Sequence, residues 1–187
     1  MVLQSDIDKI RVTLEELDRG SFEKAADAIV SARRIYVIGL RSSAAIATFL
    51  GFYFNLIFDN VVMITANTVS EVLESLLRVG ESDVVIGISF PRYSSRAVQA
   101  MSFARDRGAT TIAITDSEAS PLASISQYTL KARSDMASFV DSLVAPLSLV
   151  NALLVAVSRK KNEDLSKTFQ TLEQIWEEYG VYEKTPE

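Results

Sequence analysis

The sequence predicts an α/β fold, a parallel sheet covered by helices on both faces. Two observations carry this. Short β-branched apolar runs recur at Ile35–Gly39, Val61–Thr65, Val84–Ile88, Thr111–Thr115 and Tyr128–Ala132, which is strand length, and helical apolar spacing fills the intervals. Two of these runs also end in serine-bearing turns that open helices, LRSS at 40–43 and SFPRYSS at 89–95. With 187 residues and 48% hydrophobic content, the chain can bury one substantial core.

Residues Asp6 to Leu17 place Ile7, Ile10, Leu14 and Leu17 among charges, the pattern of an amphipathic helix. Gly20 breaks it, and Ser21 is expected to cap a second helix over Phe22–Val30. These two helices either pack on their own domain or cover a neighbouring subunit. Ile35–Gly39 is the first core strand, with Gly39 permitting a tight turn. The helix from Ala44 to Ile57 carries Ile46, Phe49, Leu50, Tyr53 and Phe54, and its thin polar face suggests packing against another subunit.

After the strand Val61–Thr65, a helix is expected over Val69–Val79, with Glu71 in its first turn and Gly80 as a left-handed cap. The strand Val84–Ile88 leads to a helix from Ser94 to Arg107 that closes at Gly108. The fourth strand ends in Asp116 and Ser117. Ser120 and Pro121 then read as N-cap and N1 of a brief helix, Leu122–Ile125. Tyr128–Ala132 is the edge strand. A long apolar helix is expected over Ser138–Arg159, kinked or broken at Pro146, and a last amphipathic helix starts at Asp164 or Ser166.

The functional signal lies in the two serine turns. A strand that ends in hydroxyls and opens a helix builds an anion pocket from free amides and the positive end of the helix dipole. Ser42, Ser43, Ser89 and Ser94 can add neutral donors, and Arg92 a full charge. Taken alone, Ser94 or Ser95 reads equally well as an N-cap. In an open parallel sheet the ends of strands one, three and four lie on one rim, so Asp116 is expected there too. This is not a dinucleotide site, because only Gly39 of the three required glycines is present.

Composition excludes other classes. A net charge of −5 argues against nucleic-acid binding by this chain itself. The chain has no cysteine and no histidine, which removes disulfides, thiolate metal sites and the commonest acid–base side chain. No metal or cofactor is expected. Neither a signal-peptide pattern nor an uninterrupted apolar run of membrane-spanning length occurs, so the expectation is a soluble cytoplasmic protein with no membrane partner.

The order and spacing of IYVIGLRSSAAIA, DVVIGISFPRYSSRAVQAMSFARDRGATTIAITDS, SPLA and SFVDSLVAPLSLVNALL resemble the sugar-isomerase (SIS) domain. More narrowly, they resemble the effector domain of RpiR/MurR-type transcriptional regulators. The resemblance implies a three-layer, flavodoxin-like doubly wound sandwich with a five-stranded parallel sheet and extra N- and C-terminal helices. It divides the chain into linker or dimerisation helices (1–33), a phosphosugar-binding domain (34–160) and a C-terminal helix and tail (161–187). It also implies that hydroxyls hold a phosphate. Ser43 matches the serine after the first strand, and Ser89 and Ser94 match the first serine and the threonine of an S-x-S-G-x-T loop. Here Pro91 and Arg92 stand in place of that loop's second serine and glycine, and Arg41 replaces a glycine common in the first turn. Either arginine can pair bidentately with an anion, or be solvated or intersubunit.

Three functions follow from these readings. The first is a phosphosugar-sensing effector domain, a homodimer or tetramer that binds a phosphorylated sugar or sugar acid through Arg41, Ser42, Ser43, Ser89, Arg92, Ser94 and Asp116. Such a domain reaches DNA only through a helix-turn-helix domain not present in this sequence. The second is a free-standing aldose–ketose phosphosugar isomerase, with Glu71 first among the candidate bases Glu71, Glu118, Asp116 and Asp141. The third is a structural or nucleotide-binding α/β domain without a sugar ligand.

Overall fold

The computed structural model describes residues 1–66, 68–135 and 139–182, with the backbone alone for 162–166. Five strands form one sheet, β1 (Ile35–Gly39), β2 (Val61–Ile64), β3 (Val84–Ile88), β4 (Thr110–Thr115) and β5 (Tyr128–Lys131). Every neighbouring pair is parallel, and the order is β2-β1-β3-β4-β5 with β5 at an edge. From β1 the chain winds outward to β2 and then returns to start β3 on the other side. The crevice between the ends of β1 and β3 is therefore the place where strand order reverses, and open α/β sheets bind ligands at such a crevice.

Among the described residues seven helices surround the sheet, α1 (Val2–Glu15), α2 (Arg19–Ser31), α3 (Ser43–Ile57), α4 (Val69–Ser75), α5 (Ser95–Asp106), α6 (Val144–Lys160) and α7 (Asn162–Glu178). Alternation along the strands sends their side chains to two cores. Ile35 and Val37 of β1 and Ile86 and Ile88 of β3 join Ile29, Leu50, Phe54, Val150 and Leu153 on the face covered by α2, α3 and α6. Tyr36, Ile38 and Val85 meet Val72, Leu76, Met101 and Ala104 beneath α4 and α5. This is the expected three-layer arrangement. Each fully buried Ile or Leu contributes about 1.5–3 kcal/mol relative to exposure.

The opposite end of the crevice is anchored by a charge. Asp83, before β3, is 1% exposed and takes two hydrogen bonds from Arg33, before β1, at 2.9 and 2.7 Å. It accepts a third from the Gly80 amide at 2.9 Å. A buried carboxylate needs such donors, and the pair ties the starts of the two central strands together. The Asp83 hydrogen bond holds the Arg33 guanidinium above its ordinary pKa.

Several local expectations are corrected. Asp18, not Ser21, caps α2: its carboxylate accepts from the Gly20 amide at 2.9 Å and from the Ser21 hydroxyl at 2.7 Å. Asp18 is as good an N-cap as serine and its charge also complements the helix dipole, so the helix starts at Arg19 and Gly20 and Ser21 fall inside it. Helix α4 ends at Ser75, well before Gly80, whose backbone is not left-handed. Gly108 does adopt the left-handed cap, at φ 80°. The brief helix after Pro121 is a 3-10 turn, Ala123–Ile125, and the Leu122 amide donates to Ser120 Oγ at 3.2 Å. The last helix begins at Asn162, earlier than expected. Helices α1 and α2 pack on α6 of their own domain, and α2 also covers β5.

The largest correction concerns α6, which begins at Val144 rather than Ser138. Ser138 lies outside the described residues, and 139–143 is not helical. Pro146 does not kink the helix. It sits in the first turn, where its missing N–H would have had no intrahelical partner.

Candidate functional site

The turn after β1 is built by close approach. A Cβ on Gly39 would sit 2.6 Å from the Ser43 carbonyl oxygen and 2.7 Å from the Ala47 Cβ, so only glycine lets α3 start this near the strand. The tight turn itself is made by Arg41, whose φ is 57°. Ser42 is the N-cap of α3 without a side-chain cap hydrogen bond. Ser43, 4% exposed, opens the helix. At the start of α3 the Ala44 and Ala45 amides donate to the Arg41 and Ser42 carbonyls at 3.1 and 3.4 Å, while the Ser42 and Ser43 hydroxyls take no part in capping.

The loop after β3 has the same outline and a different interior. Arg92 is left-handed at φ 67°, and Ser94 caps α5, accepting from the Ala97 amide at 3.4 Å. The Ser94 amide in turn donates to Ser89 Oγ at 3.1 Å. Ser89 is itself fastened to β4: its amide donates to the Ile114 carbonyl at 3.1 Å, and its carbonyl accepts from Thr115 Oγ1 at 2.7 Å. Both serine oxygens accept from backbone amides here, which leaves each hydroxyl hydrogen available to a ligand.

The two turns share one cavity of about 550 Å3, within the range of small-molecule sites. Arg41, Ser42, Ser43, Ser89, Arg92 and Ser94 all line it, so six of the seven candidate residues come together. Asp116 does not. It follows β4, one strand away from the β1/β3 crevice, and its Oδ1 accepts from the Tyr93 hydroxyl at 2.8 Å. Burial first, and then this hydrogen bond, raise the Tyr93 pKa above its ordinary value. Glu71 does not line the cavity either. It completes a capping box with Thr68 at the start of α4.

The outer wall is the non-helical segment before α6, contributing Phe139, Val140, Asp141 and Leu143. Asp141 lies 3.5 Å from Arg92, with side chains 12% and 71% exposed respectively. The same segment is fastened to α1. Ser142 donates to Asp6 Oδ1 at 2.7 Å; nearer β5, the Arg133 amide donates to Thr13 Oγ1 of the same helix at 3.0 Å. The Ser142 hydrogen bond is the main reason the Asp6 pKa lies below its ordinary value. Sequence reasoning missed this wall because Phe139–Leu143 continues an apolar helical pattern. Asp141 and Ser142 inside that pattern were the available signal.

Comparison with known proteins places this fold. Residues 28–156 match the SIS domain model. The chain belongs to the SIS domain family. Its structure superposes on the sugar isomerase domain of an RpiR transcription factor from Sphaerobacter thermophilus with a TM-score of 0.87 and 30% identity, covering 92% of this chain and 96% of that one. The Vibrio vulnificus NanR protein, solved in complex with ManNAc-6P, shares the fold at a TM-score of 0.82 and 20% identity, over 97% of this chain and 69% of that one. In sequence, an uncharacterised HTH-type transcriptional regulator from Caldanaerobacter subterraneus is 28% identical over 167 residues, 87% of this chain. This SIS domain spans 58% of that relative's length. It is thus an SIS domain similar to those of RpiR-type regulators, and no described helix is long and apolar enough to cross a membrane.

Proposed function

We propose that this SIS domain is a ligand-sensing effector domain that binds a phosphorylated sugar or sugar acid in the β1/β3 crevice. One observation carries the reading: two strand–arginine–serine–helix crossings, with Arg41 and Arg92 51 residues apart in sequence, open onto one cavity with a helix N-terminus that lacks a side-chain cap at its edge. In this reading the phosphate sits on the first turn of α3 among the hydroxyls of Ser42, Ser43, Ser89 and Ser94. Helix N-termini and neutral donors stabilise such anions without a metal. The ManNAc-6P complex of NanR, a protein of the same fold, is consistent with this ligand class.

A sensor must pass the occupancy of its pocket onward. The wall segment supplies a route, because it touches Arg92 through Asp141 and α1 through Ser142. A ligand that draws Arg92 away from Asp141 would bias the position of α1, or the arrangement of copies in a homodimer or tetramer. DNA would be engaged by a helix-turn-helix domain joined to this one, in keeping with the greater length of the HTH-type relative.

The isomerase reading has less support. Its first-choice base, Glu71, caps its own helix, and Asp141 is the only carboxylate among the described cavity residues.

A thermal-shift panel of phosphosugars and phosphorylated sugar acids at millimolar concentration tests the proposal. Binding to the folded state alone at 100 times Kd adds about 2.7 kcal/mol of apparent stability, so at least one phosphorylated ligand should raise Tm by several degrees. No shift with any of them would contradict the reading.

A further inference from the structure

Among the described residues, only two non-glycine residues have a left-handed backbone, Arg41 at φ 57° and Arg92 at φ 67°. Both line the same cavity. Left-handed geometry is unfavourable for an L-residue, and glycine or asparagine is its usual occupant. Arginine gains nothing from that backbone, so its presence at both turns points to a requirement for the side chain. Backbone strain of this kind persists where a site uses it.

The charges around the cavity are also unequal. Two guanidiniums, Arg41 and Arg92, face one carboxylate, Asp141, in a chain whose net charge is −5. Asp141 lies beside Arg92. The Arg41 carbonyl accepts from the Ala44 amide at 3.1 Å, but its guanidinium has no hydrogen bond or ion pair among the described residues, and the residue is exposed. The serine hydroxyls and the first turn of α3 already suit a phosphate. That leaves Arg41 as a full cation, planar and bidentate, with no function in holding the fold.

We propose that the pocket selects a phosphosugar carrying a second anionic group, and that Arg41 is the specificity-determining residue for that group. This rests on the phosphosugar reading above. The second anion is a carboxylate or a second phosphate, two sources with the same chemistry toward a guanidinium.

Isothermal titration of the chain with glucose 6-phosphate, gluconate 6-phosphate and fructose 1,6-bisphosphate tests it, in wild type and in Arg41→Gly and Arg41→Asn. Both substitutions suit a left-handed backbone, so both variants should fold. Wild type should prefer one of the doubly anionic ligands by about tenfold or more, the worth of a charge-assisted hydrogen bond. In both variants that preference should fall to within about threefold, close to parity. Which doubly anionic ligand wins identifies the second anion. Equal affinity of wild type for glucose 6-phosphate and both doubly anionic ligands would overturn the proposal and leave the phosphosugar reading standing. A preference that survives in both variants would also overturn it, by removing Arg41 as its source. Failure of all three ligands to bind wild type would remove the phosphosugar reading and this proposal with it.

Discussion

The crossings after β1 and after β3 look alike in outline and differ in how their hydrogen-bonding groups are spent. Each runs from a strand end through a left-handed arginine and serines into a helix. The β3 crossing is closed on itself: Ser94 caps α5, Ser89 holds the Ser94 amide, and Arg92 lies beside Asp141. The β1 crossing is more open, with no side-chain cap on α3 and no partner for the Arg41 guanidinium among the described residues. The difference assigns two jobs. The β3 crossing sets the cavity's shape and still keeps the Ser89 and Ser94 hydroxyl hydrogens for a ligand, while the β1 crossing offers the hydroxyls of Ser42 and Ser43, which take no part in capping.

Substitutions should separate these jobs. The largest effect is expected at Gly39. In Gly39→Ala the new Cβ meets backbone at 2.6 Å, which cannot move cheaply, so stability should fall by about 1–3 kcal/mol and ligand binding should go with it. At Gly87 the equivalent Cβ meets the flexible Met101 side chain at 2.7 Å. Gly87→Ala should cost clearly less in urea denaturation, and equal losses would show that α3 is not pressed against β1.

Next come the serines. Ser94→Ala removes an N-cap and should cost about 1 kcal/mol of stability. Ser43→Ala removes no cap and should leave Tm nearly unchanged, while weakening phosphosugar binding about tenfold or more. If Ser43→Ala instead lowers Tm and spares binding, the contrast between the crossings is reversed.

A smaller change, of opposite sign, is expected at the strained backbone. Arg92→Gly and Arg41→Gly should each raise unfolding stability by about 0.5–1 kcal/mol, the relief of left-handed strain less the entropy of glycine. A loss of stability in both would mean that the arginines hold the fold.

The smallest effect concerns the link to α1. Asp6 is held below its ordinary pKa by Ser142, so its contribution is present above the unfolded-state pKa of about 4 and fades as pH falls through the lower folded value. The Tm of wild type should drop more steeply between about pH 5 and pH 3 than that of Asp6→Asn. Parallel curves would show that the Ser142–Asp6 contact adds nothing.

Local chemistry was legible where it decided the structure. β1 and β3 were read to the residue because buried parallel strands are continuous β-branched runs, and the serine turns stood out for the same reason. What was hidden depended on distant partners. The apolar stretch before α6 reads as helix until Asp141 and Ser142 are drawn to Arg92 and Asp6, both far away in the chain. Asp116 looked convergent because all parallel strands end on one rim. Strand order, which no single run of residues reveals, puts the crevice one strand away and leaves Asp116 to Tyr93. The left-handed arginines were visible as replacements of glycine, but their backbone geometry was not.

Amide chemical-shift mapping during titration with a phosphosugar that stabilises the chain tests the central claim most directly. The account predicts the largest shifts at residues 41–45, smaller ones at 89–95, and their loss in Ser43→Ala. Saturable shifts centred elsewhere, or shifts at 41–45 that persist unchanged in Ser43→Ala, would contradict it.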